Sequence, residues 1–452
     1  MDIVHIASEL APIAKVGGLG DVTYGLSKAL VKKNHRVRIF LPKYDCLDVL
    51  LLKDLHIFKD NFLIQENNIS ISNTLWSAKY EDLELVLVEA HHPKGYFDRG
   101  KIYGEEDDND RFLYFCKVAS TELKKQSPDV IHLHDWPSAG CALFLKHHVR
   151  TIFTIHNLQH QGRCASFNLE RLGIEVDEEV LCDPQFDNAI NLLKGAIQHS
   201  DVITTVSPTY REEILTLDGG CGLHEELFRS KKKLQGILNG IDTDYWNPET
   251  DTFLARTYTK ETVSEGKKAN KDHLKLSQDK PLVTAITRLV SQKGPDLIHY
   301  GIEKTLELGG QFVLLGTTDD EEMRAEFEAL KAHPDVTIHL DYDEPLSHFL
   351  YAASDMLLMP SIFEPCGLAQ MIALRYGSVP LVHATGGLKD TVFDEKNGYT
   401  FKIPDNKGVA SVLERAFEAI QTDKWQALIQ TGMQENYSWG ASAEKYLKIY
   451  QV

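Results

Sequence analysis

The sequence predicts an α/β protein with two doubly wound domains, each built on a parallel sheet. Short apolar runs alternate with segments of helical periodicity along the chain, as in consecutive βαβ units. The alternation stops once, between Asp242 and Asp251, where Asp, Asn and Pro residues are typical of a linker, and then starts again. Two such arrays joined by a linker predict two domains, residues 1–242 and 243–436, that face one another across a cleft.

The first array opens with a strand at Ile3–Ala7, a glycine-rich loop and a helix that ends near Lys33. Residues 45–127 carry a weaker pattern, with a strand-like run at Leu83–Glu89 and an acidic loop at 105–110. The remaining strands are predicted from apolar runs, most of which end in polar residues: His35–Leu41, 130–136, Thr151–His156, Val202–Val206 and 236–242.

The second array restarts with a strand at Pro281–Thr287 and a helix that ends near Leu308. Four further strands are predicted at Gln311–Leu315, Thr337–Leu340, 355–360 and Val379–His383, the last followed by a loop at Thr385–Leu388. Helices are predicted between these strands and at the end of the chain: Asp320–Ala332, Pro345–Ala353, 370–376, 407–421, 423–435 and 440–450.

The loop Lys15-Val-Gly-Gly-Leu-Gly-Asp21 is the first candidate ligand-binding segment, because a strand, a glycine-rich loop and a helix open many nucleotide-binding folds. The dinucleotide fingerprint fails, since Thr23 stands where its last glycine is required. A Walker A loop fails as well, since no Gly-Lys-Ser/Thr follows. The glycines therefore indicate either a tight turn or a loop whose backbone approaches a ligand, with Lys15 adding a charge for a phosphate.

The second candidate segment is Pro360–Gln370, where a predicted strand turns into a predicted helix at Gly367. Free backbone N–H groups and the positive end of a helix dipole suit a phosphate at such a turn. Glu364, just before the turn, supplies a carboxylate that can bind hydroxyl groups. The segment indicates a phospho-sugar site, and the alternative is an ordinary strand–turn–helix connection.

Two patterns are compatible with a metal site, and both are weak. His132-Leu-His134-Asp135 suggests a metallo-hydrolase, but Pro137 stands where a further histidine is expected. The other reading is a strand whose tip supplies ligand contacts, as is common in open α/β sheets. Asp-x-Asp pairs begin at Asp108, Asp242 and Asp341, in a chain with 66 acidic residues, and so carry little information. We predict no metal.

Composition limits the function classes. The formal net charge of −18 disfavours nucleic acid and anionic membranes as partners. Seven scattered cysteines without a Cys-x-x-Cys pair indicate reduced thiols. The chain contains no apolar run long enough for a membrane span, and its N-terminus does not look like a signal peptide. We expect a cytoplasmic protein, or one from the plastid stroma if a transit peptide has been removed.

Seven motifs together resemble the bacterial glycogen synthase and plant starch synthase family, in the family's order over nearly the whole chain. They are the loop Lys15–Asp21, His134-Asp-Trp136, Thr154-Ile-His-Asn157, Leu238-Asn-Gly-Ile-Asp242, Thr287-Arg-Leu-Val-Ser-Gln-Lys293-Gly294, Glu364-Pro-Cys-Gly-Leu368 and Thr385-Gly-Gly-Leu388. Pro42–Cys46 and Tyr342–His348 are similar to the starch synthase III/IV branch in particular. Two departures, Ala369 for a common Thr and Phe97 for a Tyr, leave the central charges in place.

The resemblance implies the GT-B fold, with the last segment, 437–452, crossing back to the first domain as a helix. It implies transfer of glucose from ADP-glucose to the non-reducing end of an α-1,4-glucan with retained configuration and with neither metal nor other cofactor. Arg288 and Lys293 would neutralise the departing diphosphate, and Glu364 would hold the glucose hydroxyls. The other site residues it implies are Lys15, Gly18, Gly367 and Leu368 at the distal phosphate, His156 near the sugar, Asp135, Trp136 and Asn239 on the sugar and acceptor side, Tyr342 on adenine, and Asp21, Asn157 and Cys366 as further substrate-binding residues.

Other functions remain open at this point. A retaining transferase could use UDP-glucose or another acceptor, and a glucan phosphorylase, which needs pyridoxal phosphate, shares the two-domain architecture. A non-catalytic glucan-binding protein is disfavoured because the charged residues at 288, 293 and 364 are all present. An NAD enzyme is disfavoured by the broken fingerprint.

Overall fold

The computed structural model describes residues 1–177, 181–183, 186–187 and 189–451. The chain forms two compact units, unit 1 (Met1–Gly240 with Trp439–Val452) and unit 2 (Ile241–Ser438). Both are α/β units with mainly parallel sheets, which confirms the predicted fold class. The predicted cleft between two domains stays a prediction. Among the described residues, no helix combines the length and hydropathy that a membrane span requires.

Unit 1 is built around one large, mostly parallel sheet. The described strands of the unit are β1 (Asp2–Ile6), β2 (Arg36–Pro42), β3 (Lys53–Lys59), β4 (Ile64–Glu66), β5 (Ile69–Ile71), β6 (Asn73–Tyr80), β7 (Leu83–Ala90), β8 (Val130–His134), β9 (Thr151–Ile155), β10 (Arg163–Cys164), β11 (Cys182–Asp183), β12 (Ala189–Asn191), β13 (Val202–Thr205) and β14 (Leu234–Gly236). Nine of them form the sheet, in the order β14-β13-β9-β8-β1-β2-β7-β6-β3. The sheet is parallel from β14 to β7, and β6 and β3 add an antiparallel edge.

The described helices of unit 1 are Gly18–Lys32, Asp108–Leu123, Asp135–Phe144, Ser166–Glu170, Leu192–His199, Pro208–Glu213, His224–Arg229 and Trp439–Tyr450. The last of these packs against the first helix of the chain. A Cβ atom at Gly25 would collide with the Trp439 indole, so glycine is required there for close approach. Lys33 also pairs with Glu444 at 3.0 Å, and the Ser442 hydroxyl donates to the Leu238 carbonyl at 2.6 Å.

Unit 2 is a second doubly wound array. Its described strands are β15 (Leu282–Arg288), β16 (Gln311–Thr317), β17 (Val336–His339), β18 (Met356–Met359), β19 (Val379–His383) and β20 (Tyr399–Phe401), all paired in parallel in the order β17-β16-β15-β18-β19-β20. Its described helices are Val263–His273, Pro295–Glu307, Glu321–Ala329, Glu344–Ala353, Ala369–Arg375, Gly386–Thr391, Asn406–Ala419 and Asp423–Gln434. In both units the loops that follow the parallel strands carry the candidate site residues.

Most of the predicted elements are confirmed, and three are wrong. The strand predicted at 236–242 is β14, Leu234–Gly236, because its ladder with β13 ends where Thr205 pairs with Gly236. The loop predicted at Thr385–Leu388 is the start of helix Gly386–Thr391. The acidic loop predicted at 105–110 ends at Asp107, because Asp108 begins helix Asp108–Leu123, where carboxylates favour the positive end of the helix dipole.

Candidate active site

A buried carboxylate shapes the loop between β1 and helix Gly18–Lys32. Glu9 is 4% exposed, and its Oε2 accepts hydrogen bonds from the backbone N–H of Val16 at 2.7 Å and of Gly17 at 2.8 Å. Its Oε1 accepts from the Tyr103 hydroxyl at 2.9 Å. Two loop amides are therefore committed to Glu9, and the loop is held in one shape before any ligand binds.

Lys15, Gly18 and Asp21 lie together at the start of that helix. The cap residue is Gly17, so no side chain of the cap occupies the first N–H groups of the helix, which are the groups that bind phosphate at many helix N-termini. Gly18 has open space around it, since a Cβ atom there would meet nothing within 4 Å. Lys15 Nζ pairs with Asp21 at 2.8 Å, so the loop presents a lysine that already has a carboxylate partner.

Asp135 follows β8 and reaches across to the tip of β9. Its φ of +58° is rare for a residue with a side chain and costs on the order of 1 kcal/mol or more, which is a feature of functional sites. Its Oδ1 accepts a hydrogen bond from the His156 backbone N–H at 3.1 Å, and the backbone of Asn157 donates to it as well. Burial raises the pKa of Asp135 to about 7, with a smaller contribution from the charge of Glu9.

Trp136, Asn157 and Asn239 have different surroundings. The Trp136 ring packs edge-on against Phe112 at 5.3 Å, and Asn157 Oδ1 accepts from the backbone N–H of Gln159 at 3.1 Å. Asn239 is 5% exposed, and its Oδ1 has no hydrogen-bond partner in the described part of the chain. A buried acceptor without a partner is costly, and a ligand hydroxyl could satisfy it.

Three buried histidines come close enough to be considered as metal ligands. One nitrogen each of His5, His132 and His134 lies within 4.8 Å of the others, which is the single such group found in the described residues. His132 already bonds Tyr450 at 2.7 Å and Thr154 at 2.6 Å, and His134 bonds His5 at 2.8 Å. Each of the three rings thus already bonds another histidine or a hydroxyl, so the arrangement is a hydrogen-bond network.

The first Asp-x-Asp pair is also engaged by side chains. Asp108 Oδ1 accepts from Arg111 at 2.8 Å, and Asp110 lies 3.3 Å from Arg171. Cations of the protein therefore compensate these carboxylates, and the pair has a structural role.

In unit 2 the predicted turn forms at Gly367, whose φ of +72° is in the left-handed region that favours glycine. Leu368 then caps helix Ala369–Arg375 without a side-chain hydrogen bond. Cys366 is buried against Gly387, where a Cβ atom would come within 2.5 Å of the Cys366 Cα. Gln370 Nε2 donates to the Gly367 carbonyl at 2.9 Å and fixes the turn from below.

Glu364 and Lys293 form an ion pair beside this turn. The Glu364 side chain is 6% exposed and that of Lys293 is 18% exposed. The Ser361 hydroxyl donates to the same carboxylate oxygen, Oε2, at 3.0 Å. The loop that carries Lys293 is tied to the loop that carries Glu364, because Ile362 N–H donates to the Gln292 carbonyl at 2.9 Å.

Arg288 and Tyr342 are exposed. Arg288 ends β15, and its guanidinium makes no ion pair with any described residue. Tyr342 follows β17 and is 74% exposed. Lys293, Glu364 and the Gly367 turn thus form one group in unit 2, with an accessible guanidinium at the end of a neighbouring strand.

Sequence reasoning missed several residues of this region. Glu9 and Tyr103 hold the glycine-rich loop, yet they are about ninety residues apart in the chain and no local pattern joins them. Ser361 lies within the predicted phosphate segment and could have been found from its spacing to Glu364. His5 was noted only as part of the first strand, and the two motifs that contain His134 do not include it, although His5 and His134 bond each other across the sheet.

Two doubly wound α/β units with glycine-containing turns after parallel strands are the architecture of a glycosyltransferase of the GT-B fold, and comparison with known proteins identifies that class. Residues 2–229 match the family model of the starch synthase catalytic domain, and residues 266–430 match that of glycosyl transferases group 1. The chain belongs to the starch synthase and bacterial glycogen synthase family.

The relatives found support this assignment over the full length. The glycogen synthase of Protochlamydia amoebophila is 43% identical over 100% of this chain and 99% of its own. The probable starch synthase 4 of Arabidopsis thaliana is 44% identical over 99% of this chain and 46% of its own. The catalytic domain of starch synthase IV from Arabidopsis thaliana, bound to ADP and acarbose, superposes with a TM-score of 0.94 at 43% identity, covering 100% of this chain and 98% of that one. Sucrose-phosphate synthase from Thermosynechococcus elongatus shares the fold, with a TM-score of 0.65 at 17% identity over 99% and 98% of the two chains.

Proposed function

We propose that this protein is a retaining glucosyltransferase that adds glucose from ADP-glucose to the non-reducing end of an α-1,4-glucan. The observation that carries the proposal is the Lys293–Glu364 pair beside the Gly367 turn, in a chain of this family. A similar structure, that of starch synthase IV, holds ADP and acarbose, a nucleotide and an oligosaccharide analogue. This supports a nucleotide sugar and a glucan as the ligands here.

The proposed chemistry requires charge stabilisation on the leaving group. Breaking the glycosidic C–O bond leaves negative charge on the diphosphate, and preorganised donors lower the barrier by stabilising that charge. In unit 2 we assign this role to Arg288, Lys293 and the backbone N–H groups of Gly367 and Leu368. Arg288 is exposed without an ion pair in the described residues, so it can turn to a phosphate at small cost.

Glu364 has a different role in the proposal. Its carboxylate is buried and held by the Ser361 hydroxyl, which orients it towards Lys293. When Lys293 turns to the diphosphate, Glu364 needs new hydrogen-bond donors, because a buried carboxylate without partners is costly. The hydroxyl groups of the transferred glucose supply them.

In unit 1 we assign binding of the sugar and of the glucan acceptor to the tips of β8 and β9, with Asp135, Trp136, His156 and Asn157. The buried side-chain oxygen of Asn239 is assigned to the same ligands. Lys15 and Gly18 are proposed to bind the distal phosphate at the helix N-terminus, and Asp21 is proposed as a further substrate-binding residue. Tyr342 is proposed to stack on adenine, for which its exposed ring is suited.

We further propose that catalysis requires no divalent ion or other cofactor. The Asp108–Asp110 pair is compensated by arginines, as described above. A phosphorylase would require pyridoxal phosphate, and purified protein that absorbs above the protein band at 280 nm would favour that alternative. A cytoplasmic or stromal location is proposed, since no described cysteine forms a disulfide bond.

The test is incorporation of radiolabelled glucose into glycogen, with ADP-glucose and UDP-glucose compared as donors at equal concentration. We expect incorporation from ADP-glucose and a decrease of roughly 10²-fold or more in kcat for Lys293→Ala, the scale for loss of one preorganised donor. Incorporation from UDP-glucose alone would favour the alternative donor, and no incorporation from either would refute the proposal.

A further inference from the structure

Three histidines form a continuous hydrogen-bonded line inside unit 1. His5 Nδ1 lies 2.8 Å from His134 Nε2, and His134 Nδ1 lies 3.1 Å from His156 Nε2. His5 is on β1, His134 ends β8 and His156 follows β9, and these three strands are neighbours in the sheet. His5 and His134 are fully buried, whereas His156 is partly exposed at the strand tips. The line therefore runs from the core to the candidate site.

All three imidazoles are neutral at ordinary pH. Burial lowers the pKa of His5 and of His156 to about 3, and it lowers the pKa of His134 well below its usual value, helped by the neighbouring histidines. A neutral imidazole carries one N–H, so one nitrogen donates and the other accepts.

Counting protons leaves only two arrangements of the line. If His134 carries its proton on Nδ1, it donates to His156, and His5 must donate to His134. If His134 carries it on Nε2, it donates to His5, and His156 must donate to His134. The tautomer of His156 is thus tied to that of His5 through His134, because each hydrogen bond needs one proton and each ring has one.

The far end of the line favours the first arrangement. His5 Nε2 is buried and has no hydrogen-bond partner in the described part of the chain. In the second arrangement this atom would be an N–H without an acceptor, and buried N–H groups without acceptors are rare in folded proteins. In the first arrangement it is a bare nitrogen, and His156 carries its proton on Nδ1, the nitrogen that is not bonded to His134.

We propose that His5 and His134 are positioning residues that fix His156 as its Nδ1–H tautomer, so that the ring presents a hydrogen-bond donor to an oxygen of the bound sugar. The identity of that oxygen rests on the proposed function, whereas the tautomer does not. A ring fixed as a donor at the nitrogen that is not bonded to His134 favours a hydroxyl or ether oxygen over a group that can only donate. The line acts through His156, since its other two members are fully buried.

The primary test is long-range 1H–15N NMR of the protein labelled with 15N-histidine, without ligand, which distinguishes the two neutral tautomers. The His156 signals are assigned by their loss in His156→Asn. We expect His156 in the wild-type protein to be protonated on Nδ1. An Nε2–H tautomer would overturn the proposal, whatever the protein's activity.

Variants of His5 test the coupling. His5→Leu removes the donor at the far end, and we expect a mixed tautomer at His156 and a decrease of about tenfold in kcat/KM, the scale of one neutral hydrogen bond. His5→Asn places an amide nitrogen near the position of Nδ1, and we expect it to restore both the tautomer and the activity. An unchanged tautomer in His5→Leu would overturn the proposal.

His132→Leu is the matched control. His132 is as buried as His5 and its ring lies 4.2 Å from that of His134, but its nitrogens bond Tyr450 and Thr154 outside the line. We expect lower stability with an unchanged His156 tautomer and nearly unchanged kcat/KM. If His132→Leu lowers kcat/KM as much as His5→Leu does, the effect is one of stability and the proposal fails. Wild-type protein with the expected tautomer but without glucosyl transfer would refute the proposed function alone.

Discussion

The Lys293–Glu364 pair allows stability and catalysis to be separated by mutation. Lys293→Ala removes the cation and leaves Glu364, whose side chain is 6% exposed, with the Ser361 hydroxyl as its side-chain partner among the described residues. Removal of one partner from a buried ion pair typically costs about 3–5 kcal/mol. Since the Lys293 side chain is 18% exposed and Ser361 keeps its bond of 3.0 Å, we expect a loss of about 2–3 kcal/mol.

The second variant, Lys293→Ala with Glu364→Gln, removes the uncompensated charge. We expect it to recover most of the lost stability, because a neutral amide is far less costly to bury than an unpaired carboxylate. Activity should not recover, because the proposed diphosphate cation is still absent. Arg288→Ala is the complementary control. Because the Arg288 guanidinium is exposed and makes no ion pair in the described residues, its removal should lower kcat with little loss of stability.

The measurements are the thermal midpoint and the steady-state rate of glucose transfer for the four proteins. A loss of 2–3 kcal/mol corresponds to a decrease of about 5–10 °C for a domain of this size. The reasoning is refuted if Glu364→Gln fails to restore the midpoint of Lys293→Ala, or if Lys293→Ala transfers glucose at the wild-type kcat.

Three further predictions concern unit 1 and the chemistry. Glu9→Ala should speed amide hydrogen exchange at Val16 and Gly17 and raise KM for the donor several-fold, because both amides lose their acceptor. Tyr103→Phe keeps both of these amide hydrogen bonds and should change exchange much less. Equal exchange rates in the two variants would contradict the role of Glu9 in holding the loop. Transfer should persist in EDTA; activity lost in EDTA and restored by Mg²⁺ or Mn²⁺ would contradict the metal-free mechanism. Finally, burial lowers the pKa of His132 well below its usual value, so below about pH 6.5 the unfolded state takes up a proton that the folded state does not. As the pH is lowered below that value, this residue should therefore decrease the free energy of unfolding by about 1.4 kcal/mol per pH unit. His132→Leu should remove that part of the pH dependence of stability. The variant keeps Asp135, whose raised pKa of about 7 makes the folded state more stable as the pH falls from about 7 to about 4, opposite to the effect of His132. An unchanged pH dependence in His132→Leu would show that His132 does not titrate as described.

The fold was predictable because its strongest signals are local. Buried parallel strands such as β8, β16 and β19 are short apolar runs, and the closing helices have clear periodicity, so both could be recognised from neighbouring residues. The end of β14 could not be predicted, because Ile237 is as apolar as the strand before it and the ladder stops where its partner β13 stops. Strand ends are set by pairing with distant residues, which a single sequence does not contain.

The candidate site was predictable where one short segment carries it. Glu364 and Gly367 lie in one turn whose geometry follows from the strand and helix on either side, and Gly367 adopts the positive φ that glycine permits. Glu9 and Tyr103, by contrast, meet only in the folded chain. The same holds for the line from His5 to His156, whose members come from three strands. Residues that support a site from behind are chosen by the fold and leave no spacing pattern.

The Lys293–Glu364 ion pair gives the transferred glucose a part in donor binding under the proposed function. A diphosphate that takes Lys293 as its partner has to replace the Glu364 carboxylate, which leaves that buried carboxylate with the Ser361 hydroxyl. We propose that hydroxyl groups of the glucose donate to Glu364 and offset this cost. A corresponding exchange at Lys15 should cost less, because Lys15 and Asp21 are each about one-third exposed and water can solvate Asp21. ADP-glucose should therefore bind more tightly than ADP, because only ADP-glucose carries these hydroxyl groups.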